Sequence, residues 1–285
     1  MSSYDDIFYP VADGLTLYAR DYAGPTDDAP VLLCMHGLTR NSRDFERIAP
    51  RLAQTHRVIV PEQRGRGRSD YDTQPERYAP PTYIGDMFTL LMHLQVTRCA
   101  TIGTSMGGLM AMGMNAANPA LFTHVVLNDI GPVVAEAGLS RIKGYVGSGN
   151  EFADWDDATE YARRINGSAF PDYDDAQWRT FAAQLCTEKD GKVVLDYDLA
   201  ISAPIETDES NAVPPDLWPL FDALAKKPLM LVRGMLTDIL DEQCTNEMQR
   251  RHPDMIRVDV ANVGHAPMLD EAGGLDQIVA FINDQ

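Results

Sequence analysis

The sequence predicts an α/β fold, a mostly parallel sheet with helices on both faces and one helical insertion. Three observations carry that expectation. Continuous apolar runs such as Val31-Leu32-Leu33-Cys34-Met35 and His124-Val125-Val126-Leu127-Asn128 suit strands covered on both faces. Segments with apolar positions at helical spacing alternate with these runs, which is the pattern of parallel strands joined by helical crossovers. The alternation stops between residues 133 and 214, where the chain becomes helical and aromatic, and then resumes. Residues 1–132 and 215–285 are therefore read as one core, and 133–214 as an inserted cap.

The elements follow in order. Ile7 to Val11 and Leu15 to Tyr22 are β-like runs around Ala12-Asp13-Gly14, whose Asp-Gly pair signals a hairpin. Val31 to Met35 is a strand that ends at His36-Gly37-Leu38-Thr39. Phe45 to Leu52 reads as a short helix and Arg57 to Val60 as a strand ended by Pro61. In residues 82–95, Ile84, Met87, Leu90, Leu91 and Leu94 lie at helical spacing, an amphipathic helix that packs on the sheet. The strand Arg98 to Ile102 leads into Gly103-Thr104-Ser105-Met106-Gly107-Gly108 and then a helix.

Within the insertion, Trp155, Ala158, Tyr161, Ala162 and Ile165 share one helix face, and Trp178, Phe181, Ala182 and Leu185 share another. Gly147-Ser148-Gly149 and Pro171 break the stretch into several short helices. After it come a helix carrying Leu217, Leu220, Phe221 and Leu224, a strand from Pro228 to Gly234, a helix through 241–251, a strand from Met255 to Val260, and a terminal helix from Leu275 to Ile282.

Charge narrows the partners. At 285 residues the formal net charge is -18, which opposes nucleic acid and anionic membrane surfaces at long range. Residues 151–210 hold 15 Asp/Glu against 5 Lys/Arg, so the insertion presents a wet acidic face. The four cysteines, Cys34, Cys99, Cys186 and Cys244, are scattered without metal-ligand spacing. Neither a metal nor a cofactor is expected. The first residues lack a basic start and an apolar core, and no run nears the roughly 20 apolar residues of a membrane span. The expectation is a cytoplasmic protein acting on a small molecule, with no statement about oligomeric state.

Gly103-Thr104-Ser105-Met106-Gly107 is a G-x-S-x-G pattern at a strand-to-helix junction, the nucleophile elbow. The turn is so sharp that the serine is expected at strained φ/ψ, with little room for side chains at Gly103 and Gly107. A serine hydroxyl needs a base, usually a histidine oriented by a carboxylate. His265, in the loop after the last strand, is the candidate base. His56, His93, His124 and His252 lie in or beside ordinary elements, and His36 is read as shaping its loop.

Three acids stand at strand ends or just beyond: Asp238, four residues after Gly234, with Asp241 close behind, and Asp129 after the preceding strand. Chemistry alone does not separate them. Ser105, Asp238, His265 runs in the order nucleophile, acid, base that accompanies this elbow, and Asp238 is taken as the acid. The oxyanion donors are the backbone N–H of Met106, at a helix N-terminus, and the N–H of Leu38 in the loop after the third strand. Arg64-Gly65-Arg66-Gly67-Arg68-Ser69 lacks the last glycine of a dinucleotide motif and the Gly-Lys-Ser/Thr of a P-loop, so it is read as a structural or substrate-rim loop.

With His36-Gly37, the Arg64–Ser69 loop, the elbow at Ser105, the loop at Asp238 and Gly264-His265 in this order, the chain resembles the α/β-hydrolase superfamily over nearly its whole length. The resemblance implies an eight-stranded, mostly parallel sheet, a helical cap after the sixth strand, and cofactor-independent chemistry through an acyl-enzyme. Two departures are visible. Many relatives have proline soon after His-Gly, where this chain has Leu38-Thr39. Relatives that cleave carbon–carbon bonds of ring-fission products often have asparagine before the serine, where this chain has Thr104. The expectation is a serine hydrolase of a carboxylic ester or lactone of a partly apolar molecule. The alternatives are carbon–carbon hydrolysis of a diketone-like substrate and a non-catalytic receptor on the same fold.

Overall fold

A computed structural model describes residues 4–148, 151–204, 216–271 and 273–284. Eight strands form one sheet in the order β1 (Asp5–Pro10), β2 (Thr16–Tyr22), β4 (Arg57–Glu62), β3 (Val31–Met35), β5 (Cys99–Thr104), β6 (Phe122–Asn128), β10 (Leu229–Gly234) and β11 (Ile256–Val260). Only β2 runs against its neighbours; every other pairing is parallel. The hairpin expected at Asp13-Gly14 joins β1 to β2, with Gly14 at φ 92°. Pro61 does not end β4. It pairs opposite Ala19 of β2, while the β3 ladder stops at Ile59 and leaves Pro61 no bond to break on that flank.

The inner strands have two buried faces, and side-chain alternation sends successive residues to opposite cores. Leu32 and Cys34 join the core under α1 (Ala49–Leu52) and the last helix, whereas Leu33 and Met35 join the core under α2 (Pro80–His93) and α3 (Met106–Ala117). This is why those runs are continuously apolar instead of alternating.

Between β6 and β10 lie α4 (Glu136–Lys143), α5 (Trp155–Asn166) and α6 (Asp175–Leu185), and the helix faces read from the sequence are the buried ones: Ala158, Tyr161 and Ala162 on α5, Trp178, Phe181 and Leu185 on α6. The insertion is not purely helical, however. β7 (Glu151–Phe152), β9 (Lys192–Leu195) and β8 (Cys186–Lys189) form a small antiparallel sheet, turned at Asp190-Gly191 with both residues at positive φ. Its strands are only two to four residues long, too short for periodicity to register. The core resumes with α7 (Trp218–Asp222), α8 (Glu242–Arg251) and α9 (Gly274–Asn283) around β10 and β11. The expected boundary at 214/215 lies outside the described residues.

Backbone contacts hold the insertion to the loop after β4. Gly67 donates to the Asp196 carbonyl, Asp198 donates to the Gly65 carbonyl, and the Tyr78 hydroxyl donates to the Asp198 carboxylate at 2.6 Å. The Arg43 guanidinium adds an ion pair to Asp196 at 2.7 Å.

Candidate active site

Ser105 stands between β5 and α3 at φ 52° and ψ −117°, the strained turn the sequence predicts. Its neighbours explain the two glycines. A Cβ on Gly103 would lie 2.4 Å from the Gly107 carbonyl oxygen, and one on Gly107 would lie 2.3 Å from the Met35 carbonyl oxygen. Both obstacles are backbone, so neither can yield cheaply. The Ser105 N–H donates to the Asn128 carbonyl at 3.0 Å, which ties the elbow to the end of β6.

His265 meets this serine from the loop after β11, with Nε2 2.9 Å from Ser105 Oγ. Its other nitrogen, Nδ1, lies 2.8 Å from Asp129 Oδ2. The carboxylate beside His265 is thus that of Asp129, which corrects the choice of Asp238. Asp129 follows β6 directly, is fully buried, and takes φ 54°. Its carboxylate also accepts from the Gly234 N–H at 2.9 Å on Oδ1 and the Thr237 hydroxyl at 2.6 Å on Oδ2.

The β10 loop therefore contributes Thr237 where Asp238 was expected. Past Gly234 the chain turns tightly, with Thr237 donating its N–H to the Gly234 carbonyl. Asp238 instead binds Arg141 of α4 through both oxygens, at 2.6 and 2.8 Å. These Arg141 hydrogen bonds hold the Asp238 carboxyl below the usual range; His265 adds a weaker electrostatic pull in the same direction. Asp241 is equally occupied, capping α8 by accepting from the Cys244 N–H at 2.7 Å.

The expected oxyanion donors flank the serine. Met106 opens α3, so its N–H is one of the first-turn donors a helix cannot satisfy internally. Leu38 and Met106 both line the space at Ser105. Two residues outside the expected set brace this region. Arg66, wholly buried, donates through Nε to the Leu38 carbonyl at 2.9 Å and through Nη1 to the Tyr83 hydroxyl at 2.8 Å. Asn128, also wholly buried, donates to Thr104 Oγ1 at 3.0 Å and to the Pro267 carbonyl at 2.8 Å, which fastens the histidine loop to the elbow. The loop motif around Arg66 was visible in the sequence; nothing local distinguishes Asn128 from a strand-end residue.

His36 shapes its loop, as the sequence suggests. Nδ1–H donates to the Gly37 carbonyl at 2.7 Å while Nε2 accepts from the Gln63 N–H at 3.3 Å, so both nitrogens are used in the neutral ring. Burial pushes its pKa down to about 3, which keeps the ring uncharged across ordinary pH. Two arginines of the Arg64–Ser69 loop are taken up within the protein: Arg64 pairs with Asp13, Asp72 and Asp86, and Arg68 pairs with Asp6.

Among the described residues, no group of three or more His, Cys, Asp or Glu is placed to hold a metal ion, and the four cysteines are buried and unpaired. No helix there is long and apolar enough to cross a membrane.

A family model described as "Alpha/beta hydrolase family" matches residues 31–276. The chain is 34% identical over 261 residues to the 3-hydroxybutyrate-oligomer hydrolase of Cupriavidus necator, covering 89% of this chain and 88% of that one. It is 27% identical to the 2-(acetamidomethylene)succinate hydrolase of Mesorhizobium japonicum, over 83% of this chain and 81% of the relative. A crystal structure of an alpha/beta hydrolase from Novosphingobium aromaticivorans superposes with a TM-score of 0.94 at 42% identity and 99% coverage of each chain. With the elbow, the eight-stranded sheet and these relatives in agreement, the chain belongs to the alpha/beta hydrolase family.

Proposed function

We propose that this hydrolase cleaves carboxylic esters through an acyl-enzyme on Ser105. The observation that carries the reading is the unbroken hydrogen-bonded line from Ser105 Oγ through His265 to a buried Asp129 carboxylate, at 2.9 and 2.8 Å. His265 Nε2 takes the Oγ proton as the serine attacks the ester carbonyl, and Asp129 fixes the tautomer with its proton on Nδ1. Positive charge then develops on the imidazole against a carboxylate held by two further donors. The Met106 and Leu38 N–H groups receive the oxyanion, a role in which one donor is worth about 10²–10³ in rate. The proton returns from Nε2 to the departing alkoxide, and water repeats the sequence to release the acid.

The insertion between β6 and β10 serves as a lid, since Ile142, Tyr145, Phe170 and Phe181 come from it and line the space over Ser105. The similarity to a 3-hydroxybutyrate-oligomer hydrolase supports an ester of a short hydroxy acid as the substrate class. A fluorophosphonate probe followed by peptide mapping tests the nucleophile: labelling at Ser105 is expected, and labelling elsewhere sinks the assignment. Hydrolysis of a 3-hydroxybutyrate dimer, compared with simple p-nitrophenyl esters, tests the substrate class.

A further inference from the structure

Two chambers meet at the nucleophile, and they differ in chemistry. The first, of about 80 Å³, is walled by His265 together with Arg40, Asp44, Asn166, Phe170 and Phe181. The second, of about 90 Å³, is walled by Tyr83, Met106, Leu109, Ile130, Leu139 and Ile239, with no charged side chain on its lining. Leu38, Ser105 and Ile142 belong to both, so the side chain of Ile142 on α4 forms part of the partition.

We infer that the second chamber takes the acyl group and the first takes the leaving alcohol. This rests on the ester reading above and follows from proton bookkeeping. In acylation the Ser105 Oγ–carbonyl bond forms and the Oγ proton passes to His265 Nε2. The carbonyl–alkoxy bond then breaks, and the alkoxide oxygen must collect that proton from Nε2. The alcohol therefore lies on the side of Ser105 that His265 walls, because a proton crosses only within hydrogen-bond reach. The acyl group stays attached to Ser105 after the alcohol departs. It must leave the His265 side open for the incoming water, whose proton goes to Nε2 as its oxygen attacks.

The chamber on the far side, reached past Met106 and Leu38, is where the acyl chain fits without blocking that water. Its wholly uncharged lining makes a charged acyl group costly to desolvate. Its volume of about 90 Å³ limits the acyl group to a small one. The leaving-group chamber differs. Arg40 reaches it with Nε and Nη2 engaged by Asp44, at 2.9 and 2.6 Å, beside the ring of Phe181 4.4 Å from its guanidinium carbon. Because the Arg40–Asp44 pair places polar groups of both signs on that wall, a polar alcohol, including one that carries a carboxylate, is less costly to desolvate there than in the uncharged chamber. The substrate class is thus an ester of a short, uncharged acyl group with a polar or anionic alcohol.

Two esters that carry a carboxylate at opposite ends test this on the unmodified enzyme: phenyl hemisuccinate, charged on the acyl side, and 4-carboxyphenyl butanoate, charged on the alcohol side. Each is compared with its primary-amide counterpart after subtraction of the uncatalysed rate. Charging the acyl side should cut kcat/KM at least tenfold, and charging the alcohol side by less than threefold. Equal losses, or the reverse ranking, overturn the assignment. Variants separate the steps. Leu139→Trp, on the half-buried face of α4, should slow hydrolysis of a preformed butanoyl-enzyme at least fivefold, whereas Phe181→Ala should change the acylation rate and its dependence on the alcohol. If Phe181→Ala slows deacylation and Leu139→Trp alters only alcohol preference, the chambers are exchanged. Intact-mass detection of a butanoyl adduct on Ser105 keeps the two levels apart, since its absence ends the ester reading itself.

Discussion

Two aspartates stand at neighbouring strand ends within electrostatic reach of one histidine, and the structure gives them opposite surroundings. Asp129, after β6, is sealed from solvent and accepts from Gly234, Thr237 and His265. Asp238, after β10, is about one-third exposed and is claimed by Arg141 of the insertion. The first is held by the core and meets His265; the second joins the insertion to the core. Gly138, packed with its would-be Cβ 2.5 Å from the Asp238 carbonyl oxygen, shows how closely α4 lies against that loop. The same residue type near two neighbouring strand ends thus takes different work according to which partners surround it.

The sharpest way to break this comparison is to neutralise each aspartate alone. In Asp129→Asn, the Gly234 N–H can only donate, so the amide oxygen must turn to it. The amide NH₂ then faces His265 and drives the imidazole proton onto Nε2, where it blocks the serine. A loss of about 10⁴ in kcat is expected, the scale on which a wrong histidine tautomer costs a serine triad. Asp238→Asn should leave kcat within about threefold, because its partner is an exposed-side ion pair and not the base. Steady-state kinetics on one ester decide the matter. A loss from Asp238→Asn comparable to that from Asp129→Asn would reverse the two roles.

Thr237→Val sharpens the same contrast at smaller amplitude. It keeps the shape of the side chain but removes the hydroxyl that donates to Asp129 Oδ2 at 2.6 Å and accepts from the Ile239 N–H at 3.2 Å. Hydrogen bonds to charged groups contribute about 1.5–3 kcal/mol, equivalent to roughly 10- to 150-fold, so a loss of at least roughly tenfold in kcat with KM little changed is the expected result. An unchanged kcat would mean that Asp129 is oriented by Gly234 alone.

How far the sequence reveals this site follows from the range of each interaction. Ser105 and His265 are legible because local patterns mark them: glycines that leave room for a strained turn, and a histidine in the loop after the last strand. The Asp129 assignment is not local. Both aspartates follow buried strands, and what distinguishes Asp238 is its contact with Arg141, 97 residues away. Chain order could not discriminate, since either acid lies between the serine and the histidine. The large sheet was readable from doubly buried strands, whereas the small sheet of the insertion was hidden by its brevity. Its one strong signal was Asp190-Gly191, at φ 52° and 76°, the same dipeptide that marks the β1–β2 hairpin.

The smallest effect separates Asp238 from Asp129 by stability instead of rate. Arg141 lowers the Asp238 carboxyl below its ordinary value, so the folded chain binds this proton less readily than the unfolded one does. The pair therefore contributes stability that is fully present above the unfolded pKa, about 3.9 for an aspartate, and is lost as pH falls through the lower folded value. Because the pair is partly exposed, its worth at neutral pH is about 1 kcal/mol or less. Asp238→Asn should accordingly lower the melting temperature slightly at pH 7 and at low salt, with the difference from wild type shrinking as the pH is brought below 4. Arg141→Met should reproduce that pH dependence, because either substitution abolishes the same pair. A difference that instead grew on acidification would show that the Asp238 carboxyl is stabilised in its protonated form, and the ion pair would then not be what holds α4 against the β10 loop.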